Sequence, residues 1–171
     1  MPQALCEPSH GVRSAMNKVY LYTNLALTLV LPLVSAMAAI MFFHAGGSAW
    51  SLGGEWFIFW AVGIRLFVAG IKQATQPAFT AQEIFRITNP EAQIIVRELG
   101  FANICIGLAA ALSLFIPAWR IPAAFTGGLY FGIAGAMHVV KGPASPNEKL
   151  ALYSDLFIFA VVAAYELQSM V

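Results

Sequence analysis

Hydrophobic residues in this chain run in long unbroken blocks, with polar residues gathered in short stretches between them. Five blocks are long enough for a helix across about 30 Å of hydrocarbon, which takes roughly 20 residues. They cover 19–43, 55–71, 99–117, 121–140 and 150–170. None alternates apolar and polar positions as a transmembrane barrel strand must, so α-helices have to satisfy the backbone inside the bilayer. The pattern predicts an all-α polytopic bundle of five spans, a single transmembrane helical domain over 1–171. No internal repeat or Gly/Ser linker divides it.

Arg13 and Lys18 ahead of the first block, and Ser35-Ala36-Met37-Ala38 within it, resemble parts of a signal peptide. The block runs on through Ile40, Met41, Phe42 and Phe43, longer than the usual apolar region of such a signal, and is read as a retained helix.

The joints carry helix punctuation. Ser145-Pro146-Asn147-Glu148 is a capping box with proline at the first helical position, and Gly142-Pro143 stops the helix before it. Asn89-Pro90-Glu91 is a second start, from which the third helix is expected to run continuously, with 93–98 as a stalk. Thr80-Ala81-Gln82-Glu83 is read as the cap of a short amphipathic helix between spans two and three, its Ile84, Phe85 and Ile87 lying among lipid headgroups. Pro117 and Pro122 flank a tight turn at Trp119-Arg120, and Gly46-Gly47 and Gly53-Gly54 are read as bounding a loop.

Composition agrees with this picture and narrows the function. Of 171 residues, 60% are hydrophobic and 10% charged, against roughly 25% charged in a soluble domain. Nine Lys+Arg against eight Asp+Glu leave no basic field for nucleic acid. Cys6 and Cys105 form no CxxC pair, and His10, His44 and His138 are too scattered for a zinc site or a bis-histidine haem. Neither a nucleophile motif nor a phosphate-loop spacing is present, so no metal, cofactor or catalytic residue is assigned and an enzyme is the least favoured reading.

Charge sets the orientation. Arg13, Lys18, Lys72, Arg86, Arg97, Lys141 and Lys149 fall on one side if all five blocks cross, and only Arg120 on the other. By the positive-inside rule the N-terminus is cytoplasmic and the C-terminus outside. Trp50, Trp56, Trp60 and Trp119 then mark the outer interface, Tyr20 and Tyr22 the inner one.

Five polar residues enter the spans: Arg65 in the second, Glu98 and Asn103 in the third, His138 in the fourth and Asp155 in the fifth. Polar groups in a bilayer need a partner or a wet cavity, and all five fall in the cytoplasmic half at similar depth. Each also has an ordinary explanation. Arg65 can snorkel to headgroups, Glu98 can sit in the interface beside Arg97, Asn103 can join helices, and His138 can be a packing histidine. Asp155 is too short to snorkel and is expected to pair with Arg65 or His138. Gly100, Asn103, Gly107 and Ala110 stripe the third helix, while Gly128, Gly132 and Gly135 stripe the fourth. With their short connection, these two helices are expected to pack as a hairpin that brings Asn103 toward His138.

Arg97-Glu98-Leu99-Gly100-Phe101-Ala102-Asn103, Gly107, the glycine-rich helix ending in His138, Asn147 and Tyr153-Ser154-Asp155 together resemble a family of small bacterial multi-pass membrane proteins known as a domain of unknown function. The likeness covers about 57–165. More loosely, a glutamate opening a glycine-containing helix is similar to DoxX-like four-helix membrane proteins. The first resemblance implies a bacterial inner membrane, the second an accessory role beside a redox enzyme. Two functions follow as expectations. One is a bundle that binds or transports a small polar or amphipathic ligand, with Arg65, Glu98, Asn103, His138 and Asp155 as ligand-binding or proton-relay residues. The other is a structural or accessory subunit, possible as a homo-oligomer or in a membrane complex, with the glycine faces docking a partner.

Overall fold

A computed structural model describes residues 16–43 and 48–170. Cys6, His10, Arg13, His44 and Gly46-Gly47 lie outside the described residues. The described residues form five long helices, α1 Lys18–Phe42, α2 Ala49–Thr75, α4 Ala92–Leu112, α5 Pro117–Lys141 and α6 Pro146–Ser169, with a short helical segment α3 of Pro77–Phe79 and Thr80–Ile84 after α2. All five long helices are apolar and long enough to cross a bilayer, so the protein is a multi-pass integral membrane protein. Large apolar side chains such as Leu33, Met41, Ile95, Phe115 and Val140 face outward, as lipid-facing residues do.

Sequence chemistry sets most helix ends. Asn17 caps α1 by accepting from Tyr20 N, and its own N–H donates to Asn147 Oδ1 at 3.0 Å, tying the start of α1 to that of α6. A wide turn at Ala26–Val30 precedes Pro32, which lacks the N–H that would reach the Thr28 carbonyl in a regular helix. The predicted capping box at Ser145 and Glu148 is present, and Gly142 ends α5 at φ 73°, a conformation that favours glycine.

Three element boundaries differ from the sequence reading. The second helix starts six residues before Glu55, because Ser48 caps it by accepting from Ser51 N. Gly53 and Gly54 therefore lie inside α2, where the Tyr165 ring occupies the space a Cβ on Gly54 would need. The third helix ends at Leu112 rather than 117, since Pro117 holds Ile116 at φ −120° and ψ 86°, outside the helical region. Finally, α3 begins at Pro77, so Thr80 is a buried residue within it rather than a cap. Its apolar side turns into the bundle: Ile84 is buried and Phe85 half-buried, and only Ile87 is exposed.

The expected pairing of the third and fourth spans is also corrected. The glycine stripe of α4 packs on α2, and that of α5 packs on α6. A Cβ on Gly100 would come within 2.8 Å of Gly70 O, one on Gly107 within 2.7 Å of Gly63 O, and one on Gly70 within 2.6 Å of Gly100 O. Gly63 and Gly70 are seven residues apart, as are Gly100 and Gly107, so two antiparallel helices meet at a reciprocal Gly70–Gly100 contact and at a second level where Gly107 lies on Gly63 O and Gly63 on the Ala111 backbone. On α5, Gly128, Gly132 and Gly135 lie against Val162, Phe159 and Leu156 of α6. Close backbone approach needs a glycine on at least one of the two helices, and α2 and α4 both supply them. That favours α2 over α5 as the neighbour of α4.

The bundle is packed unevenly along its length. Ile58, Ala61, Val62, Ala110, Ala124, Ile158 and Val162, from four helices, form a core with almost no exposed surface. This core fills the end that holds Trp50 and Trp119. There Arg120 Nη1 donates to Glu55 Oε1, pinning α5 to α2 with a 2.6 Å ion pair. Trp60, expected at the interface, is half-buried and donates to Ser35 Oγ at 2.9 Å, joining α2 to α1. Toward the other end, which carries Lys72, Lys141 and Lys149, the helices enclose a cavity.

Candidate ligand cavity

The cavity has a volume of about 1050 Å³, at the upper end of the range for small-molecule sites. Walls come from α1, α2, α4, α5 and α6, and α3 supplies Phe79, Thr80 and Ile84. Arg65, Asn103, His138 and Asp155 all line it.

Arg65 follows directly on a second wide helical turn, Ile58–Ile64, that buries Ala61, Val62 and Gly63 in succession. Its Nη2 donates to Asp155 Oδ1 at 2.9 Å and to Ser154 Oγ at 2.8 Å, and its guanidinium carbon lies 4.7 Å from the centroid of the Phe131 ring. The two ion-pair side chains are only 11% and 10% exposed. The other terminal nitrogen, Nη1, is buried and has no hydrogen-bond partner. Of the two expected partners of Asp155, Arg65 makes the close contact. His138 Nε2 stands 4.0 Å from Asp155 Oδ2, too far for a direct hydrogen bond.

Asn103 is held by α2 rather than by α5. Its Nδ2 donates to Gln73 Oε1 at 2.7 Å, while its Oδ1 is buried with no partner. Asn103 and His138 both line the cavity. Glu98 does not join the other four. It is exposed and absent from the lining, although its neighbour Leu99 lines the cavity. One residue is about 100° around a helix, and here that step turns the carboxylate outward.

Several residues of the site were not among the candidate site residues read from the sequence. Ser154 joins three helices, accepting from Arg65 and, at 3.4 Å, from Asn24 Nδ2 of α1, whose Oδ1 accepts from Thr28. The Asn24 and Thr28 pair, four residues apart in an apolar run, was the available signal. Lys72 also lines the cavity, its ammonium 3.6 Å from the Phe79 ring centroid. Tyr20, expected as an interfacial anchor, faces the cavity as well.

The segment after α2 is latched over this end of the bundle. Lys141 Nζ donates to the carbonyls of Ile84 and Phe85 and lies 3.6 Å from Glu148 Oε1. Arg86 Nε approaches the same oxygen at 2.7 Å, and Arg86 Nη2 donates to Gly142 O at 3.1 Å. Glu148 Oε2 accepts from the N–H groups of Ala144 and Ser145. One buried carboxylate therefore caps α6 and holds α3 against the α5–α6 turn. Arg86 takes the left-handed backbone conformation, φ 58°, to reach it.

No group of three His, Cys, Asp or Glu side chains among the described residues could hold a metal ion. Compared with known proteins, the chain matches no family model, no curated protein and no solved structure.

Proposed function

We propose that this protein binds, and in doing so carries or senses, a small polar or amphipathic ligand in the cavity of its basic half, in a bacterial inner membrane. Supporting this is the pairing of a large cavity with a wall whose Arg65 and Asn103 each carry a buried polar atom without a hydrogen-bond partner, a donor at Nη1 and an acceptor at Oδ1. Buried polar groups are ordinarily satisfied, and leaving one unpaired costs about 1–3 kcal/mol. An occupant that accepts from one and donates to the other removes both costs. In this reading Arg65 anchors the ligand and Asp155 balances Arg65 when the cavity is empty. The likeness to small bacterial multi-pass proteins belongs to the same proposal. The accessory-subunit reading is less favoured, since the glycine faces it relied on are covered by α2 and α6.

Native mass spectrometry of the protein released gently from membranes tests this. The expected spectrum has a reproducible extra mass of small-molecule size that is lost in Asn103→Ala and Arg65→Gln. A bare chain, or one seen only with a second polypeptide, would favour the accessory role.

A further inference from the structure

Charge and access around the cavity define what it takes. Its charged and titratable walls are Arg65, Lys72, Lys141, Asp155 and His138, with Tyr20 and Tyr130. Arg65 is matched by Asp155, and Lys141 by Glu148 and two carbonyls. Lys72 has the Phe79 ring and no ion pair among the described residues. Glu148 is shared with Arg86, so among the described residues the cations at and beside the cavity outnumber the carboxylates paired with them. The cavity also holds buried N–H donors on a guanidinium, the group best shaped to bind a carboxylate or phosphate.

Access is sideways. At the basic end Thr80, Ile84 and Phe85 form part of the cavity wall, and Lys141 holds that segment in place. Val19 of α1, Val68 of α2, and Met137 and Val140 of α5 also line the cavity, yet are 72%, 42%, 61% and 81% exposed. Apolar side chains that are both cavity wall and outer surface mark openings toward lipid. A purely polar molecule gains nothing from such an entrance, whereas a chain-bearing one keeps its tail in hydrocarbon while its head reaches Arg65.

We infer that the occupant is an anionic, single-chain amphiphile whose carboxylate or phosphate headgroup meets Arg65 beside Lys72 and whose chain leaves through the side of the bundle. This rests on the ligand-cavity reading and adds the charge, the chain and the route. Fatty acids and single-chain phosphate esters share this chemistry.

The test uses the full chain in phosphatidylcholine nanodiscs, with radiolabelled oleate, dodecyl phosphate and oleyl alcohol as probes, and acetate and inorganic phosphate as chain-free competitors. Oleate or dodecyl phosphate should bind about one per chain, and whichever binds tighter names the headgroup. Oleyl alcohol should bind at least about tenfold more weakly, for want of the charge-assisted hydrogen bonds. Lys72→Gln should weaken binding of the anion by about fivefold and leave oleyl alcohol unchanged. Val68→Trp, at an opening and away from the ion pair, should slow uptake of both chains. Equal binding of oleate and oleyl alcohol, or anion binding indifferent to both Lys72→Gln and Arg65→Gln, overturns the charge assignment while leaving a ligand cavity. Competition by acetate or phosphate as strong as by oleate overturns the chain. No binding of any probe, together with a bare native mass spectrum, overturns the cavity reading itself.

Discussion

Arg65 and Asp155 face each other with little water around either, so each is tolerable only because of the other. Removing one leaves a buried charge alone, at a cost of about 3–5 kcal/mol, whereas replacing both with apolar residues of similar size is often neutral or stabilising. Asp155→Ala should therefore lower the unfolding midpoint in detergent sharply, and Arg65→Met combined with Asp155→Leu should recover most of that loss without recovering the retained ligand. A double variant as unstable as the single one would mean the pair serves the fold rather than the site. Glu98, by contrast, faces outward, and Glu98→Gln should change stability by less than about 0.5 kcal/mol and leave the retained ligand in place. At this scale Arg65, Asn103, His138 and Asp155 were legible because a polar group inside an apolar block has to be accommodated. Glu98 was misplaced because depth along a helix carries no information about which way a side chain points. Gln73 was missed because its position in sequence, just past an apolar block, hides that it reaches back to Asn103.

The helices are set apart by what their glycines touch, and the consequences can be ranked. A methyl at Gly107 meets the backbone of Phe67 and Gly63, which cannot swing aside, so Gly107→Ala must push α2 and α4 apart at about 1–3 kcal/mol. At Gly132 the nearest atoms belong to the ring of Phe159, an exposed side chain free to turn toward lipid, and Gly132→Ala should cost under half as much. Gly53 has nothing within 4 Å, and Gly53→Ala should be neutral or stabilise by up to about 1 kcal/mol through helix propensity. Thermal unfolding of the three variants in one detergent gives the order, and an inversion of the first two would refute the packing of α4 on α2. The glycine stripes themselves were visible in the sequence. Their partners were not, because stripes on α4 and α5 look equally able to face each other until Gly63 and Gly70 of α2 are counted. The latch at Glu148 is a separate element-level device. Glu148→Gln keeps an acceptor for Ala144 and Ser145 but removes the charge that holds Arg86 and Lys141. Hydrogen exchange across 77–88 should quicken by about tenfold while α6 stays protected, and equal acceleration in both would mean the cap, not the latch, had failed.

As a whole the molecule has a dry half around Ile58, Val62, Ile158 and Val162 and a hollow half around Arg65 and Asp155. The number of spans was legible from block length alone, but the hollow was not, since an apolar cavity wall and an apolar core read the same in sequence. The division follows charge. Lys18, Lys72, Arg86, Arg97, Lys141 and Lys149 lie toward the hollow half, whereas Arg120, at the other end, is neutralised by Glu55. The positive-inside rule predicts that the hollow half faces the cytoplasm, which would put the proposed lateral openings in the inner leaflet. Single cysteines in a background of Cys6→Ser and Cys105→Ser test this against a membrane-impermeant maleimide added to intact cells. Ala118→Cys, exposed in the first turn of α5, should react from outside. Lys18→Cys, Gln82→Cys and Lys149→Cys should react only after the membrane is opened. External reaction at Lys18 alone would remove α1 from the crossing helices. Reaction at all three with protection of Ala118→Cys would reverse the protein in the membrane and move the cavity to the outer leaflet, where its occupant would have to be drawn from a different pool of amphiphiles.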